Sequence, residues 1–483
     1  MKNKNGKFLY ADLADRIQNQ IEKGAFKLSE KLPSLRTLCQ RTGYSMTTVF
    51  QAYVELEKRG VVESRHRSGY FIKPRLERLR HPPEMKHHEM VPKKVNLDNL
   101  IHQLTEDMGN PHILKLGSVA VAPDHLPFKR LHKHLKSIPQ KQIPDVIAGY
   151  GHPQGDALLR YQISNLLFPI IPSVAMEDII VTNGCTEALS LSLKAVSNPG
   201  DTVMVESPTD PWLRQTIKDS DMYALEMPTD PDNGIDLNSV KTIIEQEKIA
   251  CCVVNPNCQN PLGFIMPDDN KKKLLDLLGD KEIPIIENDI CGEIYFGEYR
   301  PNPIKRWDTK DNVLYCSSFS KVLAPGLRVG WVVSGRFKKP IKRMKLNLSL
   351  ISSTLNQALV ASYLKEGTYH RHLRKLRENI RLQYSYCAAA LNRHFPETIK
   401  MTSPLGGQSI WIELPNGIKG REVYLEAKKK GISILPGFLC TSFDSFDQYI
   451  RIGYGGRWDK TMEHAIQQLG GIIKGMGRDT GKS

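Results

Sequence analysis

The sequence predicts an α/β protein in two parts. A small basic module of three helices and a β-ribbon comes first, then a large α/β body that ends in an α+β subdomain. Three observations predict this. From about residue 112, short apolar β-rich runs alternate with helical patterns, the mark of a largely parallel sheet covered by helices. The first 75 residues instead carry three short helical periods and two apolar runs around a turn. Charge divides the chain in the same way. The 483 residues include 67 Lys+Arg and 52 Asp+Glu, a net +15, of which residues 1–94 (20 basic, 10 acidic) supply +10 and the rest +5. A basic module ahead of a nearly balanced body points to a polyanion partner for the module.

Composition narrows the class further. With 40% apolar and 25% charged residues, the chain is neither disordered nor fibrous. No apolar stretch approaches the roughly 20 residues of a membrane-spanning helix. Met1-Lys2-Asn3-Lys4-Asn5 has no apolar run behind it, so no secretory signal is read there. Nine cysteines, with no Cys-x-x-Cys pair, predict reduced thiols, a cytoplasmic location and no metal site.

In the module, Leu13, Ile17 and Ile21 line one face of a helix over 8–23, which Gly24 stops. Pro33-Ser34 opens a second helix with Leu35 and Leu38 inward, and Gly43 ends it. Ser45 caps a third, with Val49, Ala52, Tyr53 and Leu56 inward and Gly60 after it. Val61-Val62 and Tyr70-Phe71-Ile72 flank a turn holding Ser68-Gly69. Three helices and a hairpin make a winged helix-turn-helix. Such a fold presents the start of its third helix, here Ser45-Met46-Thr47-Thr48, to base edges in the major groove. Arg36 opens the preceding helix, within reach of a base or phosphate. Arg65, His66 and Arg67 sit at the ribbon turn, where a wing meets the minor groove or backbone. The candidate DNA contacts are therefore Arg36, Ser45, Thr47, Thr48, Arg65 and Arg67. The runs L-P-S-L-R-T-L at 32–38, S-M-T-T-V-F-Q-A-Y from 45 and S-G-Y-F-I at 68–72 resemble the GntR-type winged helix, with Met46 standing where that family often has Arg.

Residues 1–75 are assigned to this domain. Residues 76–111, rich in proline, charge and histidine, read as a basic flexible linker. The body occupies 112–483, with a small subdomain from about 365. Its strand candidates are Ile179–Val181, Val203–Val205, Cys251–Val254, Ile283–Ile286, Val313–Tyr315 and Val329–Val333, then Ser409–Glu413 and Tyr449–Gly453.

Five motifs in the body suit one chemistry. Ser317-Ser318-Phe319-Ser320-Lys321 precedes Pro325-Gly326-Leu327-Arg328. A lysine that condenses with an aldehyde needs a setting that lowers its pKa. An arginine seven residues on is suited to a phosphate dianion, and Ser318 adds a hydroxyl. Asn183-Gly184-Cys185-Thr186 follows a strand and opens a helix, an anion nest. Gln259-Asn260-Pro261-Leu262-Gly263 offers the Asn260 amide to a phenolic oxygen. Glu287-Asn288-Asp289 follows a strand. Arg451, within Ile450-Arg451-Ile452, is placed for a substrate carboxylate.

Together these resemble the fold-type-I aminotransferases, with Tyr150-Gly151-x-Pro153-x-Gly155 and Gly406-Gly407 agreeing. The resemblance implies pyridoxal 5'-phosphate as cofactor, with Lys321 carrying the internal aldimine. By the same resemblance, Gly184, Cys185, Thr186, Ser318 and Arg328 hold the phosphate, with Tyr150 from a partner chain. Asn260 bonds the ring oxygen. Three positions depart from the family pattern. Asn288 stands where the family has an Asp opposite the pyridine nitrogen, with Asp289 next to it. Cys291 replaces a Tyr, and Asp210 replaces the stacking aromatic, with Trp212 nearby. A carboxylate opposite the ring nitrogen keeps it protonated, so the departures weaken the steps after amine capture.

A GntR-type winged helix joined to such a domain resembles the MocR group of bacterial regulators. That implies a homodimer on double-stranded DNA, sensing an amine or amino-acid effector by aldimine exchange at Lys321, with slow or absent transamination. The alternative is an active aminotransferase with an auxiliary DNA-binding domain.

Overall fold

A computed structural model describes residues 8–22, 31–59, 61–65, 69–72, 81–96, 100–137 and 143–479. The chain divides into two compact units, 1–79 with 381–389, and 80–380 with 390–483.

In the first unit the helices run Leu9–Glu22, Leu35–Thr42 and Met46–Lys58, and Val62–Arg65 pairs antiparallel with Gly69–Ile72. The local signals act as the sequence predicts. The Ser34 hydroxyl accepts from the Thr37 amide at 3.1 Å and caps the second helix. Gly43, at φ +71°, closes it. The Ser45 hydroxyl accepts from the Thr48 amide at 3.3 Å and caps the third. Leu13, Ala14, Ile17, Val49, Ala52, Tyr53 and Leu56 meet in one core with Val62 and Ile72. The Tyr53 hydroxyl, carried into that core, donates to the Pro33 carbonyl at 2.7 Å. Gly24 and Gly60, read as helix stops, lie outside the described residues.

The second unit is built on one large sheet. Its strands lie in the order Lys93–Lys94, Tyr223–Asp230, Thr202–Ser207, Ile249–Val254, Ile285–Asn288, Val313–Ser318, Gly330–Val333 and Ile179–Thr182, with Gly234–Ile235 beside Tyr223–Asp230. The strands from Tyr223–Asp230 to Val313–Ser318 are parallel, and Gly330–Val333 runs antiparallel to both its neighbours. Buried on both faces, most of these strands read as apolar runs. Cys251 and Cys252 are such strand residues, at 0% exposure. A second, antiparallel sheet orders Lys400–Met401, Ser409–Glu413, Tyr449–Gly453 and Leu435–Pro436.

Two features depart from the sequence reading. The strand Tyr223–Asp230 has no plain apolar signature, because Glu226 and Pro228 interrupt it. Glu226 is nonetheless 1% exposed, and its carboxylate accepts from the hydroxyls of Ser207 and Thr441 and the amide of Ser442. The expected flexible linker is also corrected from residue 81 onward. The His81 carbonyl accepts from the Met401 amide, and Lys86 pairs with Glu413 at 3.4 Å. A ring nitrogen of His88 bonds the Glu226 carbonyl at 3.0 Å, and Lys93–Lys94 joins the sheet edge. Leu100–Gly109 is a helix with Leu100 and Ile101 buried. Composition reads prolines and charges as loop; these long-range partners fix them against the body.

Candidate functional site

The parallel strands set the site. Their carboxyl ends deliver Asn183-Gly184, Asp210, Asn255, Asn288 and Ser318 to one edge, where open α/β sheets place their ligand crevices. A cavity of ≈ 410 Å³ opens there, with Cys185, Asn260, Asn288, Lys321, Arg328 and Arg451 in its wall. Ile101, Leu104 and Met108, from the helix that falls in the supposed linker, supply an apolar side.

Lys321 Nζ donates to the Val119 carbonyl at 3.0 Å. Burial pushes its pKa below the usual lysine value, and the Arg451 charge adds to this. Cys291 and Asp210 oppose the shift. The setting thus enlarges the neutral, nucleophilic fraction of the amine.

Arg328 sits at φ +52° after a turn of 3₁₀ helix. Its guanidinium donates to the Asn183 carbonyl at 3.1 Å and to the Ser320 hydroxyl at 3.4 Å. Among the described residues no hydrogen-bond partner of Arg328 is a carboxylate, so its positive charge is available to an anion. Gly184 lies directly against it at φ +83°, and a Cβ there would stand 2.4 Å from Arg328 Nη2. The helix Cys185–Val196 begins at the same place, with Cys185 and Thr186 in the cavity wall. A guanidinium and the amides of a helix start form a dianion cradle. Ser318 is 3% exposed, its hydroxyl accepts from the Ser320 amide at 3.3 Å, and it is absent from the cavity wall. Ser320 is in that wall instead. The sequence reading missed it because strand alternation alone does not set the turn after Ser318.

The opposite end differs. Asn288 is 8% exposed and in the wall. Its Oδ1 accepts from the Cys185 thiol at 3.5 Å and from the Ile290 amide at 3.4 Å. Asp289 points away from the cavity. It pairs with Arg300 at 2.5 Å, accepts from the Tyr315 hydroxyl at 2.7 Å and from Asn257 Nδ2 at 3.1 Å. Burial, then the Asp289 charge, pushes the Tyr315 phenol well up, which keeps it a donor. The neutral residue therefore faces the cavity and the carboxylate does not, as consecutive strand positions require. Cys291, also in the wall, has its thiol pushed by burial to about 11.

Between these ends runs a polar chain. Arg451, 5% exposed, donates to Asn260 Oδ1 at 2.7 Å and to the Gly117 carbonyl at 2.8 Å. Asn260 Nδ2 donates in turn to Asp210. Asp210 also caps its helix by accepting from the Trp212 amide at 2.8 Å. Tyr150 lies outside this wall and is 80% exposed.

These donors fit pyridoxal phosphate. They offer a cationic cradle free of carboxylates, a depressed lysine and an amide for the phenolic oxygen around one cavity. Among the described residues no cluster of His, Cys, Asp and Glu is arranged to hold a metal ion.

On the first unit, Arg36, Ser45 and Thr47 are exposed and Thr48 is half-buried. The Ser45 and Thr48 hydroxyls lie 2.9 Å apart, engaged with each other at the cap. Met46 and Phe50, one turn apart, are 49% and 44% exposed on the same helix. The backbone of Arg65 pairs opposite Gly69, and Arg67 lies outside the described residues.

Comparison with known proteins follows the same division. The family model described as aminotransferase class I and II matches residues 112–469. The model for bacterial regulatory proteins of the gntR family matches residues 9–72. Two Escherichia coli proteins described as uncharacterized HTH-type transcriptional regulators align along almost the full chain. YjiR is 34% identical, covering 96% of this chain and 98% of its own. YdcR is 32% identical, covering 96% and 99%. Among solved structures, the Pyrococcus horikoshii kynurenine aminotransferase in complex with PMP superposes with a TM-score of 0.73 at 26% identity, covering 79% of this chain and 95% of that one. The Thermus thermophilus α-aminoadipate aminotransferase LysN, complexed with N-(5'-phosphopyridoxyl)-L-leucine, gives 0.73 at 26%, covering 79% and 96%.

Proposed function

Because the chain belongs to the class I and II aminotransferase family and carries a gntR-family regulatory domain ahead of it, we propose that it is a DNA-binding transcription regulator whose large domain holds pyridoxal 5'-phosphate and senses an amine or amino acid. Pyridoxal phosphate is the cofactor of that family; when bound it supplies an amine-capturing aldehyde and, with its ring nitrogen protonated, an electron sink. The observation that carries the sensor reading is the turn at Asn288 and Asp289. Asn288 offers the cavity an amide and no negative charge, so it does not hold a proton on the ring nitrogen. Asp289 is committed to Arg300 and Tyr315. Amine capture is thereby retained, and the later carbon chemistry is weakened.

In this reading Lys321 supplies the resident amine. Arg328, Gly184, Cys185 and Thr186 hold the phosphate. Arg451 takes an effector carboxylate, beside an apolar wall from Ile101, Leu104 and Met108. An incoming carboxylate competes with Asn260 for Arg451, and so disturbs the chain that joins the strand Tyr449–Gly453 to the loops of Asn260 and Asp210. Residues 81–94 rest on both the small sheet, at Met401 and Glu413, and the large one, at Glu226 and Ala224. They follow the winged helix in the chain, and a shift between the sheets reaches it through them. Typical coupling of this kind is about 1–3 kcal/mol.

On DNA, Arg36, Thr47 and the start of the third helix meet the duplex, and exposed Met46 and Phe50 suit thymine methyl groups. We assign Arg65 and Arg67 to the wing. A second copy covers the exposed apolar residues Ile147, Tyr150 and Phe168, and brings Tyr150 to its partner's phosphate cradle. No described helix is long and apolar enough to cross a membrane, and a regulator on chromosomal DNA works in the cytoplasm.

The second reading, a working aminotransferase with an auxiliary DNA domain, draws on the joint presence of Lys321, Asn260 and Arg451 in one cavity. One experiment separates the two. The absorption spectrum of the cofactor-loaded protein is followed as amino acids and amines are added without a keto-acid acceptor. A shift that persists supports the sensor. Conversion to the pyridoxamine form at a catalytic rate supports the aminotransferase. No cofactor absorption, even after loading, overturns both.

A further inference from the structure

The helix Phe128–Ser137 reads FKRLHKHLKS and contains no acidic residue. Lys129, Arg130, Lys133 and Lys136 are all exposed on it. On the helix Asp268–Gly279, by contrast, Lys271 and Lys272 pair with Asp268 and Asp269 at i, i+3. Here the acid comes from one neighbour, Glu366, which meets Arg130 at 3.2 Å and Lys133 at 3.9 Å.

The surroundings extend the charge. A His125 ring nitrogen lies 3.3 Å from Asn379 Nδ2, and a ring nitrogen of His134 meets Glu366 at 3.1 Å. The first contact ties the turn before the helix to Asn379, and the second ties the end of the helix to Glu366. Between those two partners the segment 366–379 exposes Arg371, Arg374 and Lys375. Across both segments the exposed acids are Glu366 and Glu378. The face is also held rigidly. Leu131 and His134 are buried beneath it, and the second ring nitrogen of His134 bonds the Ser362 hydroxyl at 2.9 Å. Ten helical residues span about 15 Å, a length comparable with the roughly 12 Å width of a major groove.

We propose that this face is a second DNA contact, which takes the phosphate backbone of duplex beyond the stretch read by the winged helix. The inference rests on the reading of the chain as a DNA-binding regulator. Phosphate contacts of this kind add affinity and orientation and carry no base specificity. The large unit then acts as a platform for DNA as well as a sensor.

The test uses the full chain and two mixed-sequence duplexes, of about 20 and about 60 base pairs. Binding is measured against salt for wild type, for the triple variant K129Q/K133Q/K136Q, and for R36Q. Each phosphate contact contributes about 0.9 to the salt slope. The triple variant is expected to lower the slope on the long duplex by about 2 to 3, and to leave the short duplex unchanged. R36Q is expected to weaken both. An unchanged slope for the triple variant on the long duplex overturns the second contact. If R36Q still weakens binding in that case, the regulator reading stands alone. If wild type binds neither duplex, both fall together. The pair R371Q/R374Q, on the other segment, repeats the test should the triple variant fold poorly; its slope on the long duplex is expected to fall by about 2, and no fall counts against the proposal.

Discussion

The two ends of the cavity teach different things. At the phosphate end, Gly184, the start of the helix at Cys185, and Arg328 form a cradle whose parts interlock. The glycine is favoured by its φ of +83°, which other residues rarely adopt, and the guanidinium lies where a Cβ would stand. At the ring-nitrogen end, the residue facing the cavity is the neutral Asn288, and the neighbouring carboxylate is spent on a buried pair. In the function proposed above, the first end serves cofactor binding and the second lacks the charge that turnover would use; the Asp289 carboxylate pairs with Arg300 instead.

The strongest break of this comparison is at the lysine both ends serve. Lys321→Ala is expected to abolish irreversible cofactor incorporation after borohydride treatment, read by intact mass. Next comes Asp289→Asn. If Asp289 is structural, removing its charge leaves Arg300 with Glu293, at 3.1 Å, as its remaining ion pair, and should cost about 1.5–3 kcal/mol of stability. Denaturant unfolding measures this, and a neutral result would reopen Asp289 as a ring-nitrogen partner.

A buried acid nearby gives the pH test. Burial raises Glu206 from the ordinary value of 4.5 to about 7. Between those values the native state holds a proton that the unfolded state has lost. Its contribution to stability is therefore complete below pH 4.5 and is lost as the pH rises through about 7. Glu206→Gln should remove this dependence and gain about 2–3 kcal/mol at pH about 8. Melting curves across that window check it.

Two smaller effects sharpen the contrast. Arg328→Ala removes a charge-assisted phosphate contact and should weaken cofactor binding by about 2 kcal/mol, roughly 30-fold. Equilibrium titration of the apoprotein measures that. Asn288→Asp restores the carboxylate and should speed conversion to the pyridoxamine form by about tenfold, near 1.4 kcal/mol. Single-turnover absorbance reads it. No gain would break the argument that the neutral residue limits turnover.

Much of the site is legible in the sequence. The phosphate cradle can be read because its parts are close along the chain: Asn183 to Thr186 across one strand–helix junction, and Lys321 to Arg328 across one turn. The departures at Asn288, Cys291 and Asp210 are visible as residue types in fixed motifs. The helix Leu100–Gly109 is not, because a charged, proline-rich approach hides its apolar stripe of Ile101, Leu104 and Met108. The strand Tyr223–Asp230 is hidden for a similar reason, since Glu226 becomes a core residue only through partners at Ser207, Thr441 and Ser442.

The sequence by itself determined the two-part architecture, the helix caps at Ser34 and Ser45, the buried strands and several residues that line the cavity. Those depend on local propensity, periodicity and spacing along the chain. Only the tertiary structure decided which of Asn288 and Asp289 faces the cavity, that Ser320 and not Ser318 forms its wall, and that residues 81–94 are docked. Each of these turns on which distant group satisfies a buried charge or an open backbone edge, and such partners are set by packing across hundreds of residues.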